Sequence, residues 1–204
     1  MVVRLAKAPL SHRANKSRLV HAQIVDVVNA FEHAQSRLDR LTDAIPEDRW
    51  GMRSKPHRWS VAECVAHLNL TNSAYVPRIR KAIEEARNLP RTAGASYKRD
   101  TIGKIFAVMV GPIPKIGKTR IGRVKTTADF VPTGIVPKQQ LVAEFKRLQL
   151  ELIGMVKESD GLAIDKVSIK SPFGEKIHYN VYSTYVILPR HEERHIQQAE
   201  LVWA

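Results

Sequence analysis

The chain has 204 residues, 44% of them hydrophobic and 26% charged, which is enough for one domain with a sizeable buried core. No run approaches the roughly 18 consecutive apolar residues of a membrane span, and the N-terminus lacks the apolar stretch of a secretion signal. A lone cysteine, Cys64, excludes an internal disulfide framework, so a reducing cytoplasm is the expected compartment. The formal net charge of +13 is concentrated: residues 1–25 carry five cations and no acid, and residues 91–126 carry nine cations against Asp100 alone. The remainder is neutral overall, so the basicity belongs to an N-terminal arm, residues 1–17, and to a segment within the single domain that fills 18–204.

The first predicted helix covers roughly 18–44, where Ile24, Val27, Val28, Phe31, Ala34, Leu38 and Leu41 recur at three- and four-residue steps, and Pro46 follows its end. A second opens on Ser60 with Glu63 three residues later, the pattern of a capping box, and carries Cys64, His67, Leu70, Ala74, Ile79 and Ile83 to about Arg87. Pro77 inside it predicts a kink or a break. Residues 88–136 are rich in Gly, Pro, Lys and Arg and read as a long basic insertion, with a short apolar helix over Ile102–Val110. A third long helix follows Pro137, with Leu141, Phe145, Leu148, Leu152, Met155 and Val156 on one side. Val167 to Gly174 reads as a brief strand and turn. The fourth long helix runs from about Asn180 to the end, with Tyr182, Tyr185, Leu188, His195 and Val202 facing inward and Pro189 bending it. The expected fold is therefore all-α, a four-helix bundle with an insertion between its second and third helices.

His191 and His195 stand four residues apart on that last helix, so both rings leave one face a turn apart and can approach one metal ion. His67 shares a stripe with Cys64 and Leu70 on the capped second helix. Three neutral imidazoles aimed into one bundle interior carry acceptor nitrogens that need partners, and a shared cation satisfies all three.

Trp59-Ser60-Val61-Ala62-Glu63 followed by Ala66-His67-Leu68, and then His191-Glu192-Glu193-Arg194-His195-Ile196-Gln197-Gln198 about 120 residues later, resembles the DinB-like superfamily. The resemblance covers roughly 20–87 and 137–204. It implies a four-helix bundle whose second-helix histidine and last-helix pair, here His67, His191 and His195, bind zinc, nickel or a similar divalent ion, manganese and iron being the other candidates. The superfamily includes bacillithiol- and mycothiol-dependent transferases, so the resemblance implies a small-molecule substrate and a low-molecular-weight thiol activated by the metal.

Three protein ligands leave a divalent ion an open position, which serves thiol transfer or hydrolysis alike. By helical spacing Glu63, Glu192 and Gln198 are candidates to orient the histidines, and Trp59, Cys64, Tyr182 and Arg194 to line a substrate pocket. Two non-catalytic readings stand beside these. One is a carrier whose metal is structural. The other is a binding protein that applies its basic segments to nucleic acid or another anionic surface, although only Tyr97 and Phe106 between 91 and 126 are available to stack on bases. Residues 88–136, with Gly103, Gly111, Gly117 and Gly122, are also a candidate lid, and a homodimer is the expected assembly.

Overall fold

Four long helices follow the four apolar periodicities. In the computed structural model, which describes residues 21–91, 96–112, 115–116, 119–120, 126–134, 136–174 and 176–203, α1 spans Ala22–Ala44 and a short α2 spans Glu47–Trp50. The helix α3 spans Val61–Arg87 and α4 spans Thr101–Val110. Strands β1 (Lys115–Ile116) and β2 (Thr119–Arg120) pair antiparallel. A single 3-10 turn, Ala128–Phe130, precedes α5 at Lys138–Glu158. Strands β3 (Ser168–Lys170) and β4 (His178–Asn180) form a second antiparallel pair, and α6 closes the chain at Val181–Trp203. The N-terminal arm, Gly117 and Gly122 lie outside the described residues. Among those described, no helix is long and apolar enough to cross a membrane.

Helix α1 packs against α5 and α6, and α3 packs against the same two, so α1 and α3 face each other across a four-cornered bundle. Its interior falls into two apolar clusters. Phe31, Ile79, Leu152, Tyr185 and Leu188 belong to one; Leu38, Trp50, Val65, Phe145 and Ile196 belong to the other. Between them, one turn from each on α3, α5 and α6, come three fully buried polar residues: Asn72, Gln149 and Glu192.

Of the kink or break expected at Pro77, the break does not occur: α3 runs through it. The ring removes the bond to the carbonyl of Ser73, and Ser73 and Pro77 both lie on the exposed side, where that carbonyl needs no protein partner. Pro189 likewise lies inside an uninterrupted α6. Leu70 is a correction: it is 40% exposed, because the buried arc of α3 runs through Cys64, His67, Leu68, Thr71 and Tyr75 and leaves Leu70 with Ser73 outside.

The segment read as an insertion contributes to the core. Asp100 caps α4 by accepting from the Gly103 amide at 2.7 Å, and its second oxygen accepts from the Asn180 amide and the Ser183 hydroxyl, both at 2.8 Å. Gly103 is required where α4 crosses α6, since a Cβ there would stand 2.2 Å from Ser183 Oγ. Phe106, Ala107 and Val110 are thereby buried.

Candidate metal centre

The capping box predicted at the start of α3 is present. Ser60 Oγ accepts from the Glu63 amide at 3.2 Å, and Glu63 Oε2 accepts from the Ser60 amide at 2.8 Å. This fixes the first turn, and His67 follows one turn after Glu63, buried against the bundle. On α6, His191 and His195 leave one face a turn apart, as their spacing requires, and both are buried.

The three rings meet. Their centroids lie 4.4 Å apart for His67 and His195, 4.6 Å for His191 and His195, and 5.2 Å for His67 and His191. One ligand nitrogen from each comes within 4.8 Å of the others, which makes the trio able to hold a metal ion. His67 Nδ1 lies 2.7 Å from the carbonyl oxygen of Phe130. A carbonyl only accepts, so Nδ1 carries the proton and the Nε2 lone pair faces inward. That Nε2 lies 3.3 Å from His191 Nε2. A tetrahedral zinc site with bonds of about 2.0–2.1 Å has ligand–ligand edges of about 3.3–3.4 Å, so this pair already stands at the separation of two ligands. The Nδ1 atoms of His191 and His195 are buried without a hydrogen-bond partner, so neither ring is locked as His67 is.

Electrostatics favours the neutral, ligating form. Burial lowers the pKa of all three histidines; for His191 and His195 it is held well below the ordinary value, with His67 and Arg194 adding repulsion. Hydrogen bonding by Gln198 acts the other way at His195. The donor set is thus three uncharged nitrogens, suited to zinc, nickel or a similar divalent ion.

A cavity of about 420 Å³ opens onto the trio. Phe106, Val110, Phe173 and Ile177 give it an apolar wall, and Trp59 leans over the histidines, its ring 4.9 Å from His67 and 5.8 Å from His195. Arg58 and Arg194 bring cations, and no carboxylate is among the described lining residues. Arg194 also donates to the carbonyls of Met109 and Gly111, at 3.1 and 3.2 Å, tying the cavity wall to the end of α4.

Of the residues singled out from the sequence, Trp59, Arg194 and Gln198 line this cavity together with the three histidines. Four others lie elsewhere. Glu63 is committed to the cap and to Arg53, whose Nε donates to it at 2.9 Å. Glu192 points away from the trio, accepting from Asn72 Nδ2 at 2.8 Å. Cys64 is packed in an apolar cluster that pushes its thiol pKa up, which leaves it a poor nucleophile or ligand. Tyr182 lines a separate cavity between α1 and α6, where its hydroxyl accepts from Gln23 at 3.0 Å. The Phe130 carbonyl and Phe173 were not anticipated: the first is a backbone atom 63 residues from its histidine, and the second sits in a hairpin with no periodic signal. Arg58, beside Trp59 in the sequence, was within reach of the same motif.

No curated protein and no solved structure matches the chain. The family model described as the DinB superfamily matches residues 30–199, a span that reaches from α1 almost to the end of α6 and takes in all three histidines. The chain belongs to the DinB superfamily.

Proposed function

We propose that His67, His191 and His195 hold one divalent metal ion, zinc or nickel before manganese or iron, and that the protein is a metal-dependent transferase of a low-molecular-weight thiol. The observation that carries the reading is the approach of His67 Nε2 and His191 Nε2 to 3.3 Å, with a fixed tautomer on His67, at the base of an open cavity. A divalent ion bound there supplies Lewis acidity, lowering the pKa of a thiol or water placed against it.

The chain's own groups do the rest. The Phe130 carbonyl keeps the His67 lone pair directed inward. Phe106, Phe173 and Trp59 exclude water and give an apolar body a surface to lie on. Arg58 and Arg194 favour an anionic reactant in a cavity without carboxylates. In the transfer itself the thiol loses its proton to solvent, a carbon–sulfur bond forms, and the leaving group departs with the electrons of the broken bond. Hydrolysis is the second reading, because the same donor set serves a water.

The test is elemental analysis of protein purified without an affinity tag, followed by assay of a thiol panel against an alkylating electrophile. About one transition-metal ion per chain is expected, lost when all three histidines become alanine, together with thiol consumption that depends on the metal. Unchanged metal content in the triple variant would overturn the site. Ester cleavage without thiol consumption would select hydrolysis.

A further inference from the structure

Helix α4 presents an apolar face to the outside. Its inner side, Phe106, Ala107 and Val110, is buried on the bundle, yet Ile102, Ile105, Val108 and Met109 are 49%, 62%, 73% and 42% exposed. At about 100° per residue these four fall within an arc of roughly 120°, so they form one stripe along the helix. Lys104, exposed beside the stripe, is the only charged residue in the helix, and Lys98 is exposed just before its cap. A soluble surface scatters its large apolar residues singly, and four in one stripe mark an interaction site.

The charge of the chain segment that carries α4 indicates what covers the stripe. The stretch 91–126 holds nine cations against one acid. That acid, Asp100, is turned inward onto Gly103, Asn180 and Ser183. Apolar residues on one arc with Lys98 and Lys104 beside it, and the one acid of the stretch turned inward, are what an anionic lipid surface receives: acyl chains take the stripe and headgroup phosphates take the lysines. A second copy of this chain on the same face would bring like charge against like charge. The N-terminal arm, with five cations and no acid in residues 1–25, is no better matched. Nucleic acid would use the cations but not the stripe, and the two aromatic residues of the stretch, Tyr97 and Phe106, are buried and unavailable for stacking.

We propose that the exposed face of α4, Ile102, Ile105, Val108 and Met109 with Lys98 and Lys104 beside it, docks the protein reversibly on membranes rich in anionic lipid. Met109 and Val110 also line the cavity over the histidines, so the docked face adjoins the wall of that cavity. The proposal does not depend on a metal being bound there.

The experiment is co-sedimentation of the full chain with vesicles of phosphatidylcholine alone or with about one third phosphatidylglycerol, at low and high salt. Wild type should bind the anionic vesicles at least tenfold more tightly than the neutral ones, and more weakly as salt rises. Ile105→Glu/Val108→Glu should reduce that binding at least tenfold while keeping its helical content, melting temperature and metal content. Lys104→Glu should weaken it several-fold. Deleting residues 1–20 should leave the dependence on Ile105 and Val108 in place. No partition to anionic vesicles would overturn the proposal. So would full binding by the double variant, with or without a salt-sensitive affinity for duplex DNA, or a lipid-free dimer that the double variant converts to monomer.

Discussion

Helix α6 carries two buried polar groups of opposite character within one turn. His191 and His195 turn toward a cavity, their nitrogens converging with that of His67 and two Nδ1 atoms left without a hydrogen-bond partner. Glu192, between them in sequence, turns into the bundle, wholly enclosed, and takes a hydrogen bond from Asn72. Both clusters are desolvated, so burial of polar groups at mid-bundle does not by itself distinguish a site from a structural layer. Convergent lone pairs combined with access from outside do. The Glu192 layer separates two apolar clusters and also holds unpartnered polar atoms, on Asn72, Gln149 and Glu192, but no described cavity is lined by these three residues.

The sharpest way to break this contrast is a pair of single substitutions with crossed outcomes. Glu192→Ala removes the acceptor of a buried amide and opens a void, and should cost about 2–4 kcal/mol of unfolding free energy in the metal-free protein. Its metal content, by elemental analysis after reconstitution, should stay near one per chain. His191→Ala should do the reverse, abolishing stoichiometric metal while changing metal-free stability by only about 1 kcal/mol, because the imidazole it removes has an unpartnered nitrogen beside an open cavity. If Glu192→Ala empties the site and His191→Ala does not, the two roles have been exchanged.

The clusters should also tilt stability in opposite directions with pH. In the metal-free protein the histidines titrate below their ordinary value of 6.5, so the unfolded chain binds more protons than the folded one as pH falls past about 6.5, and stability is lost toward acid. Burial pushes Glu192 up to about 8, with Asn72 and Gln149 opposing, against 4.5 for an ordinary glutamate. The folded chain then keeps a proton that the unfolded chain has released, and stability falls as pH rises from 4.5 toward 8. Between pH 6.5 and 8 the Glu192 effect alone amounts to a loss on the order of 2 kcal/mol, partly offset below about pH 7.5, where the unfolded histidines finish losing their protons. Chemical denaturation across that interval should show the slope in wild type and not in Glu192→Gln. An equal slope in both would mean that Glu192 is already ionised in the fold.

Much of this arrangement was legible in the sequence. The apolar periodicities found α1, α3, α5 and α6, and the Ser60–Glu63 box located the start of α3 to the residue. The spacing of His191 and His195 put both on one face because a helix fixes that relation locally. Convergence with His67 is a tertiary fact: the need of three inward imidazoles for a shared partner suggested it, and the resemblance of Trp59–Leu68 and His191–Gln198 to the DinB-like superfamily supported it. The rotation of α6 about its own axis was not legible. It decides that the side of α6 bearing Glu192 meets Asn72 while the side bearing His191 and His195 meets the cavity; helical spacing fixes the angle between those sides and not what each faces. Leu70 failed similarly, since a three-residue step from His67 lies near the edge of the buried arc. The role of α4 was hidden by its basic surroundings: its ten residues read as an apolar stretch in an insertion, whereas Asp100 and Gly103 seat them against Ser183.

The smallest expected effect tests how the open cluster is held. His67 is oriented by a backbone carbonyl, which no side-chain substitution removes, whereas at His195 the polar side chain acting on the ring from the cavity is that of Gln198, whose hydrogen bonding opposes the burial that lowers the ring's pKa. Outer contacts of this kind change metal affinity by about 10- to 100-fold when deleted. Gln198 is half-buried at the cavity and His195 has a second nitrogen without a partner, so the low end applies. Gln198→Ala should weaken metal binding about tenfold, or roughly 1.4 kcal/mol, as read by competition with a chromophoric chelator, and should leave the metal-free melting temperature unchanged. Asn72→Ala, on the enclosed side of α6, should show the opposite pattern, with a lower melting temperature and unaltered affinity. Equal affinity in wild type and Gln198→Ala would mean that His195 is held by packing against Trp59 and its neighbouring histidines, and that the open cluster is organised by shape more than by hydrogen bonding.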